Sequence, residues 1–497
     1  MSDERRSDER QGPRLGDEMR ENQMKPTAAS EVRAQRSERL RRVTAVVAGA
    51  FASRRGGVAF AAVSAFLIAV FRAPAVFFIY DAGVYWVAAV AATSGGDFFE
   101  LGGLLIRGAL TAFIYVPAAL LAMLFGPESG LVAVLIQNSL LIAIIGAVLI
   151  PALVRLFVMV PPLIVYASAI GTALLLGGLA PYPLVDLWAL SLVLFAIVLV
   201  GRTPNSWVRL GVAGLLLGAA FNLRPAYLVP VILIALAWVV ASRLRVLATV
   251  GGFALALVPQ VVVNLMSRGS WAPWPVNAFV VTDVQTKYAG FIVRYDTLAY
   301  APDASAAQLF YCNPGMATRF VSGTPGSMGE LALSFVEHLP VSLKFVAQKV
   351  AASLHWTSQT PYSGYPSDEL SALTLAVVAV SSAGFLGLIW FVLRRREGRS
   401  LTLTRMAPVF ALWAGTSATL AFATPEARFA LPVLVLGIVG CLVVGCSRPA
   451  VFAPSGRGIL FIAGAVLLAA GLLWIGQSGL AHPADLGDAT ARICSAS

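Results

Sequence analysis

Apolar runs of about twenty residues recur along this chain, and each is long enough to cross the hydrocarbon core of a bilayer as a helix. That recurrence constrains the fold more than any motif does. Lipid offers backbone groups no hydrogen-bond partner, so a spanning run must satisfy its own N–H and C=O groups as a helix. The runs cover residues 57–79, 130–154, 157–178, 184–201, 207–223, 225–241, 246–265, 370–393, 406–423, 429–445 and 458–476. With 58% of 497 residues hydrophobic and only 12% charged, a soluble domain is excluded. The expectation is an all-α polytopic membrane protein of about eleven spans.

Arginine placement sets the orientation. The stretch 108–125 is also apolar, and counting it as a span reverses everything after it. If it lies in the outer interface instead, Arg155, Arg202, Arg209, Arg243, Arg245, Arg394 to Arg396, Arg399, Arg405, Arg448 and Arg457 all fall on the side of the N-terminus. That is the positive-inside pattern of cytoplasmic loops, and it accounts for the net charge of +11 without nucleic acid. Only Arg72, Arg107, Arg224 and Arg428 then stand in or beside the short outer segments. The expected place is a bacterial plasma membrane, with the N-terminus cytoplasmic.

The domain organisation follows. Residues 1–56 read as a basic cytoplasmic tail, polar and without apolar period to Arg42. Arg39, Arg41 and Arg42 are either solvated or loosely held by anionic lipid. The first apolar run starts too late for a cleavable signal peptide. Residues 57–265 form a first transmembrane module with an outer loop at 80–129, where interfacial helices are expected. Residues 266–369 form a large outer loop with helices of its own, 341–354 among them. Residues 370–476 are the C-terminal spans, and 477–497 an outer tail. Cys312 and Cys494 share the outer side, where a disulfide is possible though the spacing does not settle it. Cys441 and Cys446 read as packing residues.

Charges beside an apolar span are costly and call for a reason. On the outer side these are Asp81 in Tyr80-Asp81-Ala82-Gly83-Val84-Tyr85-Trp86, Asp97 and Glu100 in Gly95-Gly96-Asp97-Phe98-Phe99-Glu100, and Arg107. Asp186, Arg224 before Pro225, and Arg428 after Glu426 complete the set. Acids can orient or deprotonate a hydroxyl, and arginines can hold a phosphate through forked bonds. Each residue taken alone also reads as a helix cap or a snorkelling side chain; their convergence on one side favours a site. The chain carries no phosphate-cradling glycine loop, His-Glu-x-x-His, paired-cysteine metal motif or serine elbow. His338, His355 and His482 read as surface or loop residues. No cofactor and no metal are expected.

The order of these landmarks resembles the GT-C glycosyltransferases, nearest the protein O-mannosyltransferase and lipid A aminoarabinose transferase group. Tyr80-Asp81, Tyr85-Trp86, Ala88-Ala89 and Gly96-Asp97-Phe98 are similar to that group's first outer loop. Arg107 with Leu124-Phe125-Gly126, Asp186, Leu223-Arg224-Pro225, Pro259 with Asn264, and Glu426 with Arg428-Phe429-Ala430-Leu431-Pro432 follow in order, so the resemblance spans residues 57–476. It implies a polyprenyl-phosphate-linked sugar donor, a glycan, lipid or protein hydroxyl acceptor, and inversion at the sugar. Asp81 would activate the acceptor and Asp186 would line the cavity. Arg224, with Arg107 and Arg428, would hold the lipid phosphate, and Tyr85 and Asp97 are further candidates. Two departures bear on the donor half. Arg107-Gly108-Ala109 stands near the place where the transferases carry Glu-Lys-Pro, about one turn out of register and without the acid or the proline, and Phe429 replaces a tyrosine. The other functions open to such a chain are a lipid-linked-sugar flippase or transporter, an envelope polysaccharide polymerase or ligase, and a scaffold without catalysis.

Overall fold

The computed structural model describes residues 54–73, 78–94, 107–202, 206–276, 280–295, 310–320, 323–362, 370–394, 399–447 and 456–484. The chain divides at Gly57 into an N-terminal unit and a unit spanning Val58–Ser497. The expected tail lies outside the described residues, except that 54–56 begin the helix Arg54–Phe71.

The architecture is that of an all-α multi-pass membrane protein carrying one small sheet. Among the described residues six helices are long and apolar enough to cross a bilayer: Pro127–Val154, Pro162–Leu179, Leu244–Arg268, Ala372–Arg394, Ala427–Ser447 and Gly458–Gly479. Each coincides with an expected span. Five further expected spans fall on Arg54–Phe71, Asp186–Arg202, Trp207–Leu223, Leu228–Ser242 and Arg399–Phe422. A helix of 17 residues such as Asp186–Arg202 rises only about 25 Å, short of the ~30 Å core. The last helix turns Ile459, Leu460, Leu467 and Trp474 outward, each more than 60% exposed. An exposed apolar face of that extent fits lipid rather than water.

Small residues let the helices approach, as they do in membranes, where van der Waals contact does much of the joining. A Cβ at Gly384 would overlap the Gly437 carbonyl, and one at Gly440 would overlap Gly384, so Ala372–Arg394 and Leu431–Ser447 touch through backbone. Gly214 against Thr249 and Gly252 against Gly211 do the same for Trp207–Leu223 and Leu247–Arg268.

Two short helices, Tyr80–Ser94 and Leu110–Phe125, occupy the first expected outer loop. The second folds back at Gly126 onto Pro127–Ile144, with Gln137 Nε2 donating to Ile114 O at 2.8 Å. Asn138 Nδ2 donates to Ala180 O (3.0 Å) and Tyr182 O (2.8 Å), and Tyr115 Oη to Leu184 O at 2.7 Å. Asn138 therefore sits level with the turn that precedes Asp186. About 24 Å of helix separates it from Val154.

The loop expected on the outer side folds as a lobe. Gly269 in the left-handed region (φ 63°) stops Leu247–Arg268. Helices Val280–Lys287, Met328–Glu337 and Leu339–Ala352 then pack on the strands Phe291–Val293 and Phe310–Cys312. The expected helix at 341–354 is Leu339–Ala352, started two residues earlier by the proline at its second position. Phe335, Phe345, Leu331, Met316 and Ile292 form the lobe's core. Pro483–Ala484 adds a third antiparallel strand beside Phe310–Cys312, and Cys312 N donates to His482 O at 2.7 Å. Cys312 is disulfide-bonded; Cys494, its expected partner, lies outside the described residues, and Cys441 and Cys446 are free thiols.

Candidate functional site

The outer acids and arginines are brought together. Asp81 opens the helix Tyr80–Ser94, where the unsatisfied N–H groups of the first turn favour a carboxylate. The backbone that delivers it is strained, since Tyr80 holds φ 48°, a left-handed conformation uncommon outside glycine. Asp81 Oδ2 accepts from Arg428 Nη2 at 2.6 Å, and Arg428 Nε donates to Glu426 Oε2 at 2.6 Å. Lengths this short mark charge-assisted bonds. Glu426 and Arg428 come from one tight turn, Ala427–Ala430, set between helices Arg399–Phe422 and Leu431–Ser447.

Arg224 arrives by local chemistry. Pro225 disfavours helical geometry in the residue before it, so Arg224 caps Trp207–Leu223 in an extended conformation (φ −145°, ψ 97°). Its guanidinium forms an ion pair with Asp186, the first residue of Asp186–Arg202, and lies 3.9 Å from the centre of the Phe429 ring. Phe429 thus serves as a flat cation platform. Arg224 Nη2 is buried without a hydrogen-bond partner. Arg107 Nε donates to Tyr85 Oη at 3.0 Å, one turn along the Asp81 helix.

Exposure distinguishes these groups. The side chains of Arg224, Asp186, Arg428 and Glu426 are 3–5% exposed, whereas that of Asp81 is 29% exposed. Burial opposes ionisation of Asp81, but Arg428 and then Arg107 outweigh it and hold the carboxyl below its usual range. Burial likewise pushes the Tyr85 phenol up. Arg224 and Arg428 both line a small cleft together with Tyr227, Thr416, Thr419 and Phe429. It offers two cations and three hydroxyls against an apolar floor of Pro230, Leu420 and Pro432.

Of the residues expected from sequence, Asp81, Tyr85, Arg107, Asp186, Arg224 and Arg428 are all placed here or on its margin. Asp97 and Glu100 lie outside the described residues. The pairings, Arg428 with Asp81 and Arg224 with Asp186, were not expected. His355 is not a surface residue: it is 6% exposed, packed beside Gly476. Among the described residues no three histidine, cysteine or acidic side chains are grouped to hold a metal.

Three supporting features escape sequence reading. A ladder of buried amides fixes the loop that carries Arg107. Asn222 Oδ1 accepts from Leu110 N (3.0 Å), while Gln260 Oε1 accepts from Ala109 N (2.8 Å) and Asn222 Nδ2 (3.1 Å). Gln260 Nε2 passes to Asn264 Oδ1 (3.0 Å), whose amide reaches Ala272 O and Trp274 O in the outer loop. Polar residues i and i+4 in an apolar helix were the visible signal. Second, Tyr362 from the outer loop reaches the site: its ring lies 5.8 Å from the Arg428 guanidinium and 5.2 Å from Tyr80, and its buried hydroxyl has no partner. Third, Lys349 is fully buried, donating to Gln285 Oε1 and Ala421 O, which ties the lobe to Arg399–Phe422. Compared with known proteins, the chain matches no family model, no curated protein and no solved structure.

Proposed function

We propose that this protein is an inverting GT-C-like glycosyltransferase of a bacterial plasma membrane, moving a sugar from a polyprenyl-phosphate donor to a hydroxyl on the extracytoplasmic face. The observation that carries the reading is the meeting of one accessible carboxylate, Asp81, with two arginines that share a cleft. In this reaction the acceptor oxygen bonds to the anomeric carbon as the bond from that carbon to the phosphate oxygen breaks. Asp81 takes the hydroxyl proton, a role worth roughly 10²–10⁴ in rate. Arg224 and Arg428 take the charge that develops on the departing lipid phosphate, with Arg107 behind them. Asp186 fixes Arg224, and the acceptor is a glycan, a lipid or a protein.

The topology proposed is about eleven spans with the N-terminus inside. Arg405 donates to Leu156 O at 3.2 Å, which joins two arginine-bearing ends at the face away from the acid–arginine set and supports that arrangement. A transporter would concentrate its charges at the midplane. The deciding experiment presents purified protein in lipid with labelled polyprenyl-phosphate sugars and candidate acceptors. Wild type transfers sugar, Asp81→Asn folds and does not, and full transfer by that variant would sink the assignment.

A further inference from the structure

Arg428 already holds two carboxylates. Glu426 occupies its Nε at 2.6 Å and Asp81 its Nη2 at 2.6 Å. A phosphate that takes the guanidinium's Nη1–Nη2 pair of N–H groups sets a second anion on the nitrogen that Asp81 already holds, and the repulsion between the two is relieved if one carboxylate gives way. Glu426 is 3% exposed and two residues from Arg428 on the same tight turn, so it has nowhere to go. Asp81 is 29% exposed and sits at a helix start across the site. The exchangeable partner is Asp81. A carboxylate locked to an arginine is also a poor proton acceptor, so the pair as it stands keeps Asp81 from acting as a base.

We infer that Glu426 is a positioning residue that holds Arg428 as an exchangeable phosphate receptor, and that the donor's phosphate displaces Asp81 from Arg428, so that the donor must bind before the acceptor can be activated. The inference rests on the glycosyltransferase reading and adds an order of events to it. The displaced carboxylate turns to the solvent-facing side, where an acceptor hydroxyl can meet it. Meanwhile Arg224, already paired with Asp186 and stacked on Phe429, offers its unpartnered Nη2 to the same phosphate without giving up a bond. Arg224 is the standing receptor and Arg428 the one that must be won.

The test uses full-length protein in nanodiscs and a polyprenyl monophosphate without sugar as the probe. If Asp81 competes with phosphate, removing its charge tightens binding, and Asp81→Asn should bind the probe about tenfold more strongly than wild type. Asp81→Glu keeps the competition and should stay within about twofold. Unchanged or weaker binding by Asp81→Asn overturns the inference while leaving the lipid-phosphate reading intact. Failure of wild type to bind the probe at all removes that reading and the inference with it. A second measurement needs no variant. Saturating probe should raise carbodiimide labelling of Asp81 in wild type at least threefold, read by peptide mass spectrometry, and unchanged labelling overturns the exchange.

Discussion

Replacing Gln260 by leucine removes the centre of the amide ladder with little change in volume. The wild-type side chain accepts from Ala109 N and Asn222 Nδ2 and donates to Asn264 Oδ1, three hydrogen bonds in a residue 1% exposed. The leucine leaves those three groups stranded. Hydrogen bonds within membrane proteins average about 0.6 kcal/mol and reach about 1.7, so three of them predict a loss of about 2–5 kcal/mol. Asn264 keeps its bonds to Ala272 and Trp274, which places the outcome toward the lower end. Unfolding free energy, from titration of mixed micelles with dodecyl sulfate and tryptophan fluorescence, measures it. Asn222→Leu combined with Gln260→Leu should lose less than the two separate losses together, because both break the same contact. A loss under about 1 kcal/mol for Gln260→Leu, or strict additivity, would refute the ladder as a structural unit.

Other outcomes can be stated briefly. Gly384→Ala puts a methyl group on the Gly437 carbonyl and should lower stability by several kcal/mol or prevent folding, whereas Gly471→Ala, with nothing near it, should be neutral or gain up to about 1 kcal/mol; equal behaviour in thermal melts would refute the close-contact account. Burial, then Arg294, presses the His355 pKa down to about 4, below its unfolded value near 6.5. The unfolded chain therefore binds the proton more tightly, and stability present above pH 6.5 should fall as pH drops toward 4, by up to about 3 kcal/mol. His355→Gln should flatten that slope in pH-dependent melting, and an unaltered slope refutes the assignment. Tyr362→Phe strands nothing, since the hydroxyl has no partner, so it should keep its melting temperature and lose at least tenfold in transfer; unchanged transfer would exclude Tyr362 from the site.

The transmembrane plan was legible because lipid demands long apolar runs and leaves few ways to hide them. The first helix shows the limit of that signal: apolar residues continue to Ile79, yet the helix ends at Phe71 and Asp81 begins another. Arginine counting placed Asp81, Asp186, Arg224 and Arg428 on one side, and in the folded chain they do meet. It could not say which acid meets which arginine, since that depends on how the turn at Glu426 packs against the Asp81 helix across some 340 residues of chain. The ladder was hidden for a different reason. Asn222, Gln260 and Asn264 each look like an isolated polar intrusion, and only tertiary contact turns three costly residues into one satisfied network. Tyr362 carried no signal, because aromatic residues are common throughout that loop.

The third strand of the outer lobe has a consequence for how the protein is made. Phe310–Cys312 emerges from the ribosome about 170 residues before its partner Pro483–Ala484, and the helices from Ala372 to Gly479 must be synthesised in between. The lobe's sheet edge therefore waits, unpaired, through most of the insertion of the C-terminal half, and closes last. Domains commonly fold in order as they are synthesised, N-terminal first. Here a chain stalled or cut between Arg394 and Gly479 should carry a lobe that is open at the strand bearing Cys312.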